Sequence, residues 1–156
     1  ELSNVVIHDY SNKAHGGFLG NSVIGSWCNL GAETSASNLK NTYGEIKMYH
    51  AEIKDYINSG KTFCGLLLGD HSKTAIHTAF DTATVVGAFC NIFGASTPPK
   101  HIPSFSWGGS EGLTEHRLEQ AISTASKVFS RRGLELTPTK ESEIAKLFSS
   151  TEGERK

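Results

Sequence analysis

The chain has 156 residues, 37% of them hydrophobic and 20% charged, which suffices for one domain with a substantial core and crowds two. A formal net charge of −1 provides no general pull toward nucleic acid or an anionic membrane surface, so any partner is recognised locally. No apolar run approaches the roughly 20 residues that cross a bilayer, which excludes a helical membrane span as the organising feature.

The chain opens at Glu1 with no methionine and no charged-then-apolar leader, which reads as an excised piece of a longer protein whose upstream part is missing. From Phe18 to Ser35 a hydrophobic beat falls on every sixth residue, at Phe18, Ile24 and Leu30, and Ala36 continues it. Val6 falls in the same frame, with Asn12 as an irregular member. Neither a helix nor an ordinary strand repeats every six residues. That period is the hexapeptide signature of a parallel β-helix, in which an apolar residue points inward on each rung and a small residue such as Gly25 or Gly31 rounds the corner. The stretch from Asn38 to about Phe63 breaks the frame. Its alternation over 45–49 and its turn signal at Asn58-Ser59-Gly60 predict a hairpin-like insertion.

Rungs resume over 64–95, with Leu68, Phe80, Val86 and Ile92 inward and Thr74 as the weak member. Thr97-Pro98-Pro99 and Ile102-Pro103 are expected to end strand pairing, because proline lacks the ladder donor. The spacing after Gly112 predicts a helix capped by Thr114, with Leu118, Ala121, Ile122, Ala125 and Phe129 on one face and a stop at Arg131-Arg132-Gly133. A shorter helix follows Thr137-Pro138 and buries Ile144, Leu147 and Phe148. The first helix is expected to cover the open apolar end of the stack. The resulting division is a β-helix over 1–110 with its insertion at about 38–63, a helical extension over 111–150, and a fraying tail over 151–156. Cys28, Cys64 and Cys90 are odd in number and form no C-x-x-C pair. They read as buried reduced thiols and point to a cytoplasmic protein.

Several residues could carry chemistry. His15 precedes Gly16 and Gly17, where a ligand can approach closely, and its ordinary pKa suits a general base. The competing reading is a surface histidine at a corner. Asp70, His71 and His77 suggest a metal set, but a spacing of six rotates the two histidines onto different faces of a β-helix, so no metal is expected. Lys100 and His101 are candidates to meet coenzyme phosphates or to lie in a solvated loop, and Trp107 reads as an anchor for the last loop.

The segment KAHGGFLGNSVIGSWCNLGAETSASN resembles, without gaps from His15 to Asn38, the acetyltransferase half of bifunctional N-acetylglucosamine-1-phosphate uridylyltransferase/glucosamine-1-phosphate acetyltransferases. NVVIHDYSNKAH, GDHSK and IPSFSWGG are more similar to bacterial sugar nucleotidyltransferases carrying a hexapeptide-repeat domain, over residues 1 to about 135. The resemblance implies a mainly β fold, a left-handed parallel β-helix, assembling as a homotrimer. It also implies acetyl-CoA as co-substrate and an amino-sugar phosphate as acceptor. By the same resemblance His15 matches the catalytic base and Glu1 the acidic residue that holds it. Phe18, Asn29 and Asn38 match acceptor-contacting positions, and Ala32, with Ile76, Phe93 and Lys100, is expected to face the coenzyme.

The departures are specific. Phe18 lacks the hydroxyl of the family's tyrosine, Ser3 stands where the family has a phosphate-gripping lysine, and Glu33 replaces a glycine. Eighteen residues from His15, Glu33 is expected one coil away on the same prism face. Two readings follow: a CoA-dependent acyltransferase domain with His15 as base, or a noncatalytic trimerisation module that organises an upstream nucleotidyltransferase. Any nucleotidyl transfer belongs to that upstream part, since no G-x-x-x-x-G-K-[ST] phosphate loop occurs.

Overall fold

The computed structural model describes residues 1–155. The first coil contributes β1 (Leu2–Ser3) and β2 (Val6–Ile7), and the second β3 (Leu19–Gly20), β4 (Val23–Ile24) and β5 (Asn29–Leu30). After β6 (Ser35–Ala36) the chain leaves as a hairpin, β7 (Lys47–His50) and β8 (Asp55–Asn58), and returns to β9 (Leu67–Leu68) and β10 (Lys73–Thr74). A further coil holds β11 (Ala79–Phe80), β12 (Val85–Val86) and β13 (Asn91–Ile92). The last strands are β14 (His101–Ile102), β15 (Ser106–Gly109) and β16 (Gly112–Glu115), followed by α1 (Leu118–Ser130) and α2 (Pro138–Ser150).

These short strands stack into three sheets that form the faces of a left-handed parallel β-helix. Face A runs β1-β3-β6-β11, face B β14-β12-β9-β4-β2, and face C β16-β15-β13-β10-β5. Pairing between the coils is parallel, while the final β15–β16 pair, the β7–β8 hairpin and the Leu39–Phe63 bridge at the base of the insertion are antiparallel. Corner residues adopt left-handed backbone at six-residue intervals: Asn21, Trp27 and Glu33, then His71, His77, Ala83 and Phe89, with φ between 47° and 62°. Each such residue turns the chain from one face to the next. Gly25, Gly31, Gly69 and Gly87 follow the inward residues because a Cβ there would lie under 3 Å from the neighbouring coil.

The core is the stack of inward side chains: Ile24, Leu30 and Ala36, then Leu68, Phe80, Val86 and Ile92, all nearly inaccessible. Thr74 is tolerated among them because its hydroxyl pairs with that of Thr34 at 2.7 Å and accepts the amide of Gly31, so the Thr74 hydroxyl itself is satisfied. The beat slips at its start. Leu19 is the inward residue and Phe18 is only half-buried, while Val6 lies on an outward position and is 54% exposed. A coil is 17 residues here, between Asn12 and Asn29, lengthens to 18 between Ser72 and Cys90, and shortens to 16 between Ala88 and Ser104. A strict six-residue frame cannot describe all three.

Other expectations are corrected by the structure. The hairpin turns at 51–54, where Lys54 takes φ 54°, and Gly60 (φ 68°) instead lies beyond the end of β8. Strand pairing continues beyond both proline pairs: Val86 pairs with Ile102, and Ile92 pairs with Gly108. Pro103 is accommodated because β14 is the edge of face B. Thr114 belongs to β16, its hydroxyl donating to the Trp107 carbonyl, and α1 starts after Arg117 without a side-chain cap. Strand β16 lies beyond residue 110. Cys28 and Cys90 are buried and free, but Cys64 is only partly covered.

The helices lie along the side of the prism rather than over its open end. Ala121, Ala125 and Phe129 of α1, Leu136, and Ile144 of α2 form a second core with Phe89 and Phe105. Thr137 caps α2 through the amide of Lys140, and Gly133 (φ 69°) closes α1 as expected. The tail is also anchored. Residues Glu152–Glu154 form a 3-10 turn, and Arg155 pairs with Glu115 at 3.1 Å, donates to the Phe148 carbonyl at 2.9 Å and lies 4.2 Å from the Phe148 ring centroid.

Candidate functional site

The corner where face C turns into face A gathers most of the candidate residues. His15 lies there, exposed, and the two glycines after it are dictated by the next coil. A Cβ on Gly16 would fall 2.2 Å from the Glu33 carboxylate, and one on Gly17 (φ 109°) 2.2 Å from the Thr34 carbonyl. Gly16 accepts the Glu33 amide at 2.9 Å and the Lys13 ammonium at 2.6 Å, and that ammonium also reaches the His15 carbonyl at 2.8 Å. The loop carrying the imidazole is therefore fixed on three sides through its backbone, and the ring is left in solvent. Because the coil is 17 residues long, Glu33, eighteen residues after His15, stacks on Gly16 and not on His15 itself.

The same corner continues upward. His77 donates its amide to the Ala32 carbonyl at 2.7 Å, and Ala75 donates to Ile92 at 2.8 Å, which sets His15, Ala32, Ile76 and Phe93 on successive coils. Ile76 is 66% exposed and Phe93 is 41% exposed, with Phe93 edge-on to Trp107 at 5.7 Å. Small Ala32 below two outward apolar side chains makes a shallow apolar track leading from His15. His71 and His77 fall on different corners. Among the described residues no group of three or more His, Cys, Asp or Glu could hold a metal ion.

Glu1 approaches the site through its backbone: its carbonyl accepts the Leu19 amide at 2.9 Å and its amino group reaches the Gly17 carbonyl at 3.1 Å. Among the described residues no hydrogen bond joins its carboxylate to His15, so the carboxylate packed beside the histidine loop is that of Glu33. The tip of the Phe18 ring and the amide of Asn38 both lie against Gly20, and Asn38 donates to the Asn21 side chain at 2.8 Å. Asn29 points outward on face C, accepting from Asn12 at 3.1 Å. Lys100 stands apart, at the corner between faces A and B, where its ammonium donates to the Lys47 carbonyl of the hairpin at 3.3 Å and burial lowers its pKa. Tyr49 of that hairpin stacks on His101 at 3.5 Å, fixing the insertion against face B.

Sequence reasoning missed the third corner. Tyr10, Trp27, His71, Phe89 and Phe105 all take left-handed backbone there, with φ of 57–62°, and their rings stack in order at 4.0, 6.0, 4.5 and 4.9 Å. Phe129 of α1 lies on Trp27 at 4.2 Å and Phe148 of α2 meets Phe105 edge-on at 4.9 Å. Burial, assisted by the Lys73 and Lys140 charges and only partly opposed by Asp70, holds His71 neutral with a pKa lowered to about 4. The signal was available, since these aromatics sit one coil apart once the insertion is removed. The six-residue frame hid it.

No family model matches the sequence. Over 94 residues the chain is 31% identical to the bifunctional sugar-1-phosphate nucleotidylyltransferase/acetyltransferase of Sulfurisphaera tokodaii, covering 60% of this chain and 23% of that protein. It is likewise 31% identical over 96 residues to the bifunctional protein GlmU of Methanocaldococcus jannaschii, covering 62% and 22%. The chain thus spans less than a quarter of the length of these curated relatives. A solved polysialic acid O-acetyltransferase, OatWY, superposes with a TM-score of 0.35 at 12% identity, covering 73% of this chain and 59% of that one, too loosely to carry a structural argument. The resemblance read from the sequence is therefore a real relationship to bifunctional nucleotidyltransferase/acetyltransferases over about three fifths of the chain.

Proposed function

We propose that this chain is a CoA-dependent acyltransferase domain that transfers an acetyl group to the amine of an amino-sugar phosphate, carried by a longer sugar-phosphate nucleotidyltransferase. The observation that carries the reading is the run of His15, Ala32 and Ile76 in register along one corner, with Phe93 one position short of it on the next coil. An exposed apolar track beside small residues suits the pantetheine arm of acetyl-CoA, and its lower end meets the exposed imidazole of His15, whose ring has no hydrogen-bond partner among the described residues. Phe18 and Asn38, gathered over Gly20, form the acceptor side, with Asn29 on the adjacent face. Lys100 is on another corner and is not part of this track.

In this reading His15 takes the proton from the amine as its nitrogen forms a bond to the acyl carbon. The carbon–sulfur bond breaks, and the leaving thiolate receives the proton that His15 took up, which returns the imidazole to its neutral form. A general base of this kind contributes on the order of 10²- to 10⁴-fold. Glu33, lying over Gly16, is the carboxylate available to orient the loop. Binding of acetyl-CoA measured by calorimetry tests the track: wild type is expected to bind and Ile76→Glu to lose binding while keeping its unfolding midpoint. Equal affinities would remove the track from the proposal.

A specific observation also favours a scaffolding role. Leu2, Val6 and Val23 are exposed, and on face B Leu67 and Val85 continue the outward apolar stripe of Val6 and Val23. Such a stripe suits a homotrimer of this chain. Sedimentation of wild type and Val23→Lys distinguishes the cases: a trimer that dissociates in the variant supports assembly through this face, and an unchanged state refutes it.

A further inference from the structure

A cavity of about 530 Å³ lies over face C, bounded by the Tyr10 end of the aromatic ladder and by the C-terminal end of α1. Its floor is a row of outward side chains on neighbouring coils, Asn12, Asn29 and Lys73, brought together by the Asn12–Asn29 bridge and the Asn29–Lys73 register. Arg131 and Arg132 form its rim, and no acidic residue lines it.

Lys73 is the informative member. Its ammonium is partly buried and donates to the His71 carbonyl at 2.9 Å, which uses one of three hydrogens and supplies no counter-charge. Among the described residues the one ion pair is Arg155–Glu115, so none of the three cations around the cavity is neutralised by a carboxylate. A cation withdrawn from water without a counter-ion is costly, which singles out Lys73, whereas Arg131 and Arg132 are exposed and screened by solvent. The end of a helix favours one basic residue through its dipole, which explains a single arginine but neither the second nor Lys73. The Asn12 amide donates to Asn29 Oδ1, which turns the Asn29 NH₂ group toward use as a further donor.

We propose that this cavity binds a phosphate- or diphosphate-bearing small molecule, with Lys73, Arg131 and Arg132 meeting the anion, Asn29 donating to it, and Tyr10 flanking the rest of the ligand. The cavity shares Asn29 with the acceptor side proposed above, but its cations lie outside the His15 column, and the anion site stands whether or not acyl transfer occurs there. Arginine gives a planar, bidentate contact to phosphate oxygens and lysine a point charge, a complementary set for a terminal phosphate.

The test is calorimetric titration of the folded chain with pyrophosphate in phosphate-free buffer, repeated with sulfate. Saturable pyrophosphate binding is expected. It should weaken by about tenfold or more in Lys73→Met and in Arg131→Gln/Arg132→Gln, the size of losing a hydrogen bond to a charged group. The double variant lies on exposed positions and keeps the folded state in question out of the comparison. Lys127→Gln, on the same helix outside the cavity, should bind as wild type. Absence of saturation up to about 10 mM, unchanged binding in the double variant, or equal weakening in Lys127→Gln would each overturn the proposal, because the binding would then be absent or nonspecific.

Discussion

Replacing His71 by phenylalanine is predicted to remove about 2.5 kcal/mol of the acid sensitivity of the fold. The imidazole is stacked at 4.5 Å on Phe89 and at 6.0 Å from Trp27, and its Nδ1 is buried with no hydrogen-bond partner. Protonation would place a charge within the ladder, between the Lys73 and Lys140 charges and with only Asp70 in opposition, and Glu143 also lines the cavity beside it. The folded-state pKa is lowered to about 4 from 6.5. A depressed histidine pKa means that the unfolded chain binds the proton more readily, so stability is fully present above pH 6.5 and is lost as pH falls toward 4. Between pH 7.5 and 4.5 that linkage amounts to about 2.5 kcal/mol for this single group. Phenylalanine fits the position, because Phe89 and Phe105 hold the same left-handed backbone with φ of 57° and 58° in the same ladder. Urea denaturation at the two pH values, at one fixed protein concentration, measures the effect. His71→Phe should lose about 2.5 kcal/mol less than wild type on acidification. An identical loss in both proteins would refute the assignment of the acid-sensitive step to His71.

Phe129→Ala, which removes the ring packed at 4.2 Å on Trp27, should cost about 3 kcal/mol in denaturation experiments and release α1 from the corner. A cost under about 1 kcal/mol would mean that the helix is held elsewhere. Thr137→Ala should cost only about 0.5 kcal/mol, at the low end for a lost helix cap, because the Lys140 amide is 3.4 Å from the hydroxyl. Helicity followed by circular dichroism during the same melts checks that loss in α2.

How much of this was legible in the sequence divides by physical cause. Inward residues from Leu68 to Ile92 are spaced by backbone geometry alone, and their period survives in the primary structure. The start of the stack was misplaced by one residue, Phe18 for Leu19, because the second coil is 17 residues long and two adjacent apolar residues offer both frames. Thr114 looked like a helix cap because capping and turn chemistry use the same residues, and only the antiparallel pairing of β15 with β16 decides between them. The insertion concealed the corner ladder: Ser26 and Asp70 are neighbours in space yet 44 residues apart in sequence. Gly16 and Gly17 were read as room for a ligand beside His15, whereas their close approach to Glu33 and Thr34 of the next coil required the length of the coil. The cavity over face C combines residues from three coils and a helix end, a juxtaposition that no local pattern contains.

The central claim is acyl transfer at His15, and the direct measurement is thiol release from acetyl-CoA when glucosamine-1-phosphate is added to the folded chain, for wild type and His15→Ala. The account predicts acceptor-dependent thiol release that falls by roughly 10²- to 10⁴-fold in the variant while acetyl-CoA affinity is retained. An unchanged rate in His15→Ala would contradict the assigned base, and no thiol release from a folded sample that binds acetyl-CoA would contradict transfer to this acceptor.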